Sequence, residues 1–166
     1  MTWKQEVEAA VSMESIRKAM ETAARDILPV AAKRIFEEGL DSSGQKIGEY
    51  DTKKIYISRK NSPVQNAGIP KQKTLLFPGG YREFKSEIGR GTVVNLKVFG
   101  RLQSDYLTPK KVDKATGVAY LLKEEKNAQK KDGNEQRFRK DIFSLTAQEK
   151  KTVVDTVEFE ILRRIG

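Results

Sequence analysis

Two short triplets, Glu83-Phe84-Lys85 and Glu124-Glu125-Lys126, set a carboxylate two residues from a lysine. That is the acidic-x-Lys half of a metal-dependent nuclease motif, in which carboxylates gather a divalent cation and the lysine stabilises developing charge. In a chain that is 33% charged such triplets arise by chance, and the first falls on an expected helix instead of a strand end. Their chance frequency and that placement weigh against a nuclease. The turns GRG (89–91) and FPGG (77–80) lack the Gly-Lys-Ser/Thr tail that cradles nucleotide phosphates. The chain has no His and no Cys, which removes the imidazole base, the Ser-His-Asp and Cys-His nucleophile pairs, the usual zinc ligands and the disulfide. The expectation is a non-catalytic protein with no metal and no cofactor.

Charge offers a second kind of chemistry. Lys and Arg number 32 against 23 Asp and Glu, a formal +9. Residues 1–40 and 141–166 each carry a net −1, so the excess lies in the middle, at +11 over 41–140. Four basic runs stand out there: Lys71 and Lys73, Lys110 and Lys111, Lys130 and Lys131, and Arg137 and Arg139. Each is able to neutralise phosphates without reading sequence, although solvated loop charge is the commoner use of any one run. No recognition-helix motif or aromatic ladder accompanies them. Tyr106, Tyr120 and Phe138 lie near the runs, and core packing accounts for them equally well.

The elements that would position these residues follow from periodicity. Ile16, Met20, Ala23, Ala24, Ile27, Ala31 and Ile35 recur at three- and four-residue steps and predict an amphipathic helix over 1–38. Thr2 and Gln5 form a capping box at its start, Gly39 stops it, and Pro29 predicts a kink that divides it into two stacked pieces. Residues 39–80 hold six of the twelve Gly and three of the five Pro, and predict a long extended arm. Ile47, Tyr50, Ile55, Tyr56 and Phe77 are its apolar anchors, with Lys54–Ser58 a short strand. A loop of that length is either functional or disordered, and the anchors suit contact with a neighbouring subunit. Tyr81, Phe84 and Ile88 predict a short helix, 93–100 and 117–122 two strands of a small antiparallel sheet, and 123–145 a polar loop. Thr146 and Glu149 open a last helix, with Val154, Val157, Ile161 and Ile165 on its apolar face. The expected fold is a single α+β domain over 1–166, two helices packed on a small sheet with long loops around it.

No apolar run approaches the roughly 18 residues of a membrane span, and the N-terminal sequence lacks an apolar signal core. A soluble protein used where it is made is expected.

Taken in order, the pieces resemble a known family. The first helix ends in IFEEGLDSSGQKIGEY; YREFK precedes the expected strand at 93–100; GRLQSDY and GVAYLL follow; and RFRKDIFSLTAQE introduces the last helix. This order resembles the tail-completion and virion-morphogenesis proteins of tailed bacteriophages, the family of the Mu morphogenesis protein and the lambdoid head–tail joining proteins. The matching positions are Gly44, then Tyr81, Phe84 and Lys85, then Gly100 and Leu102, then Arg139, Phe143, Leu145, Thr146 and Glu149. Tyr50 stands where the family usually has Trp, and Lys140 and Asp141 replace a Pro.

The resemblance implies a structural virion protein of the neck: a tail-completion subunit that forms a homo-oligomeric ring, six- or twelve-fold, and joins the connector or adaptor to the tail tube. It would assemble in the host cytoplasm, with DNA as a further partner in the channel. The alternative left by the residues themselves is a basic, non-catalytic nucleic-acid-binding protein.

Overall fold

The computed structural model describes residues 12–58, 74–114 and 117–164. Helix α1 (Met13–Lys33) starts where the Ser12 side chain accepts from the Ser15 N–H, and it buries Ala19, Ala23, Ile27 and Ala31 along one face. The cap expected at Thr2 lies outside the described residues. Pro29 does not divide the helix. It sits on the exposed side, where the ring loses one backbone bond without disturbing the packed face, and α1 runs unbroken to Lys33. It then widens into a π-helical turn, Arg34–Glu38, closed by Gly39 at φ 68°. A Cβ at Gly39 would lie 2.6 Å from the Val94 carbonyl oxygen, so backbone angle and space both require glycine.

The described parts of the expected arm, 39–58 and 74–80, fold back onto their own chain. Leu40 bridges to Lys46, and the Asp41 carboxylate accepts from the Ser43 N–H and hydroxyl and from the Gln45 N–H. Burial by itself would raise the Asp41 pKa; those hydrogen bonds and Lys140, 2.9 Å away, hold it at about 2. Ile47 and Tyr50 are 1% and 7% exposed, inside the main core. Strands β1 (Ile55–Ser58) and β2 (Thr74–Phe77) pair antiparallel with Ile55 opposite Phe77. Phe77 is buried with Leu75 and Phe84, and Ile55 and Ile57 pack against that cluster. Of the five anchors assigned to a neighbour, only Tyr56 faces solvent. The correction has a simple cause: apolar side chains this dense bury themselves on the nearest apolar surface, and their own domain supplies it.

Helix α2 (Gly80–Glu87) follows, with Phe84 buried against Leu75 and Phe77. The strand expected at 93–100 does not form. Leu96 has a positive φ of 51°, Gly91 and Gly100 lie at 67° and 79°, and the segment's polar groups are taken by side chains instead of a neighbouring strand. Helix α3 (Arg101–Leu107) leads into a local hairpin, β3 (Lys110–Lys114) with β4 (Gly117–Leu121), Val112 opposite Ala119. The expected strand at 117–122 is present, but its partner is its neighbour in sequence.

The polar loop expected over 123–145 is largely helix α4 (Glu125–Phe138). Its first turn is held from outside. The Asp105 carboxylate on α3 accepts from the Lys123 and Glu124 N–H groups and from the buried Asn127 amide, the role usually played by an N-cap side chain. Glu135, near the other end, accepts from the Ile142 and Phe143 N–H groups.

Helix α5 (Ala147–Leu162) opens with the expected capping box: Glu149 N–H donates to Thr146 Oγ1 and Thr146 N–H to a Glu149 carboxylate oxygen. It packs on α1, the most extensive helix–helix contact among the described residues. The packed face includes Val157 and Ile161, both half-buried, but Val154 is turned outward; Ile165 is outside the described residues. Arg34 and Glu149 join the two ends at 2.9 Å, both side chains under 10% exposed. The protein is an α+β fold with five helices and two two-stranded antiparallel sheets among the described residues. Its main core gathers Ile35, Phe36, Ile47, Val94, Ile142 and Phe143; a smaller one surrounds Phe84, and Tyr81 packs against both.

Candidate functional site

Neither acidic-x-Lys triplet forms a metal site. On α2, Glu83 accepts from the Gly79 N–H while Lys85 turns into the protein and is fully buried. Glu124 faces solvent beside Asn127, and Lys126 is exposed. Among the described residues no group of three His, Cys, Asp or Glu side chains is placed to hold a metal ion.

Lys85 is the more informative residue. Its ammonium donates to Asn95 Oδ1 at 2.8 Å and to the Lys97 carbonyl, and it lies over the Tyr50 ring, 5.3 Å from the centroid. Asn95 in turn donates its N–H to the Tyr50 oxygen and its side-chain amide to the Arg90 carbonyl. One lysine therefore ties α2 to the irregular 90–98 segment and to the refolded arm. Burial, and then the like charges of Arg90 and Lys97, push its pKa down to about 8 from 10.5. Burial likewise pushes Tyr50 up to about 12 and raises Tyr81. The inward lysine had a sequence signal: positions 81, 84, 85 and 88 share one helical face, so Lys85 belongs with the apolar residues. Asn95 carried none.

The direction of the Lys85 shift fixes a pH dependence. Below pH 8 the folded and unfolded chains both bind the proton and the buried charge opposes folding in full. Between pH 8 and 10.5 the folded chain has lost the proton and the unfolded chain keeps it, so stability from this group rises with pH. Relative to Lys85→Met, the parent should gain about 2 kcal/mol between pH 7.5 and 9.5. Urea melts of both proteins across that range measure it; parallel curves would mean that Lys85 titrates as an exposed lysine does.

The basic residues are only partly assembled. Lys71 and Lys73 lie outside the described residues, and Lys110 is exposed at the start of the β3–β4 hairpin, whose second residue is Lys111. Lys130, Lys131 and Arg137 fall on α4 and Arg139 caps it. Lys131 is engaged by Glu135 at 3.0 Å and Asp132 at 3.6 Å and lies near the Phe143 ring, while Lys130 donates to Asn127.

Among the described residues, an apolar groove and an apolar helix face stand out. A groove of about 810 Å³ between α1, α4 and α5 is lined by Met20, Ile27, Leu28, Tyr106, Phe143 and Val153, among others. On the outside of α5, Val154, Phe159 and Leu162 are 53%, 62% and 66% exposed. Phe159 and Leu162 stand one turn apart. No helix among the described residues is long and apolar enough to cross a membrane. No family model, curated protein or solved structure matches this chain.

Proposed function

We propose that the chain is a non-catalytic structural subunit that assembles with copies of itself into a ring, at the head–tail junction of a tailed bacteriophage. The order of the sequence elements favours the virion setting. The observation that carries the self-assembly is the pair of unlike apolar surfaces on one chain, the groove beside α1 and the outer face of α5. A ring closes through heterologous contacts, in which one face of each copy meets a different face of the next. Exposed apolar patches of this kind mark interaction surfaces. Phe159 and Leu162 of one copy, seated in the groove of the next, would cover both. Tyr56, exposed on β1, remains available to a neighbour; Ile47, Tyr50 and Phe77 are not.

Native mass measurement of the purified chain tests this directly. A closed oligomer is expected, reduced to monomers by Phe159→Asp with the thermal transition retained. The nucleic-acid-binding reading has one observation in its favour: Lys126, Lys130 and Arg137 fall on one face of α4 by helical spacing. Glu124, Glu125, Asp132 and Glu135 interleave with them and dilute that charge. A chain that stays monomeric at every concentration and shifts labelled DNA at low salt would replace the ring with that reading.

A further inference from the structure

A second, smaller cavity of about 80 Å³ lies between α2, the 96–98 segment and α4, bordered by Tyr50, Tyr81, Lys85, Lys97, Asn134 and Arg137. Three cationic residues border it, and no Asp or Glu is among the lining residues. Lys85 is 0% exposed, and no carboxylate pairs with it among the described residues. Two of its three ammonium hydrogens are used, on Asn95 and on the Lys97 carbonyl. The Arg137 guanidinium has an aromatic neighbour, the Phe138 ring at 5.4 Å, but no anionic one among the described residues. Its charge reaches the hydroxyls of both Tyr50 and Tyr81. The Tyr81 hydroxyl and the Asn134 amide make no hydrogen bond to the described protein.

Unspent donors around one cavity, with buried positive charge and nothing to balance it, describe the complement of an anion. We infer that this cavity binds a phosphate-type oxyanion, with Lys85 and Arg137 as the charged donors and Tyr81 and Asn134 as the neutral ones. The space takes one tetrahedral group and excludes a nucleoside, so the ligand is the free ion or the end group of a small phosphomonoester. The same site would lock α4 to α2, because its donors come from both. It does not depend on the ring.

The test is titration of the full chain with inorganic phosphate at constant ionic strength against chloride, followed by calorimetry and by the thermal transition. Saturable one-to-one binding that raises the transition temperature is expected. Arg137→Gln should weaken it about tenfold or more, since a charge-assisted hydrogen bond is lost, and Tyr81→Phe less. Arg139→Gln, outside the cavity, should leave it unchanged. Because Lys85→Met risks the fold, the exposed Arg137 carries the decisive comparison. Phenyl phosphate distinguishes the two sources: binding with the same variant sensitivity assigns a monoester terminus, and binding of inorganic phosphate alone assigns the free ion. Phosphate and chloride giving identical transitions, or Arg137→Gln and Arg139→Gln weakening binding equally, would overturn the site.

Discussion

Arg34→Ala is expected to destabilise the protein by about 3–5 kcal/mol, a large share of the 5–15 kcal/mol that a domain of this size has. Four hydrogen bonds engage the guanidinium. Its Nε donates to Glu149 at 2.9 Å, one terminal nitrogen to the Leu40 and Ile142 carbonyls, and the other to the Ser144 carbonyl. Truncation leaves the Glu149 carboxylate buried without its cation and three carbonyls without a donor. Glu149→Gln should do less, since an amide oxygen still accepts and only the charge is removed. The double variant Arg34→Ala/Glu149→Gln should be markedly less damaged than the two single losses summed, because neither charge is then left alone. Chemical denaturation of the four proteins measures the coupling. Additive losses, or an Arg34→Ala loss under 1 kcal/mol, would show that the pair is solvated in solution.

Deleting residues 45–73 should abolish the cooperative unfolding transition altogether. The Pro- and Gly-rich composition alone predicts the opposite, a folded monomer that has lost only an arm. The deletion removes Ile47 and Tyr50 from the main core and β1 from its pairing with β2. Losing one large buried apolar side chain to Ala costs about 2–5 kcal/mol, and two go here, together with the Tyr50 hydroxyl that serves Asn95. A sharp melt near the parent temperature would instead mean that the segment is an appendage, and would return it to the role of a clasp between subunits.

The elements legible in the sequence are those whose signal is local. Helix α1 is carried by its apolar spacing and by Gly39, α5 by the Thr146–Glu149 box, α2 by Tyr81, Phe84 and Ile88, and β1 by alternation. The misread elements depend on partners far along the chain. Helix α4 has little apolar periodicity, with Gly133 in its interior, and takes its start from Asp105 on another helix. The segment 93–100 alternates as a strand should, yet Lys85 and Tyr50 capture the polar groups of Asn95 and Lys97 that a strand would have offered to a neighbour. The site was legible only in fragments: Arg137 was visible as one of a basic run and Lys85 as half of a chance nuclease triplet. Their meeting across one cavity needed the fold of 90–98, which no spacing in the sequence encodes.

The pairing of α1 with α5 also sets a timetable for synthesis. Arg34 leaves the ribosome 115 residues before Glu149, an interval of roughly 6 to 23 s at ordinary elongation rates. Through it, the face carrying Ala23 and Ile27 has no α5 to lie against. A nascent chain interrupted before Thr146 would keep that face open and be a substrate for holding chaperones or for proteolysis. Closure of α5 over α1 is thus a late step, complete only once Ala147–Leu162 has emerged.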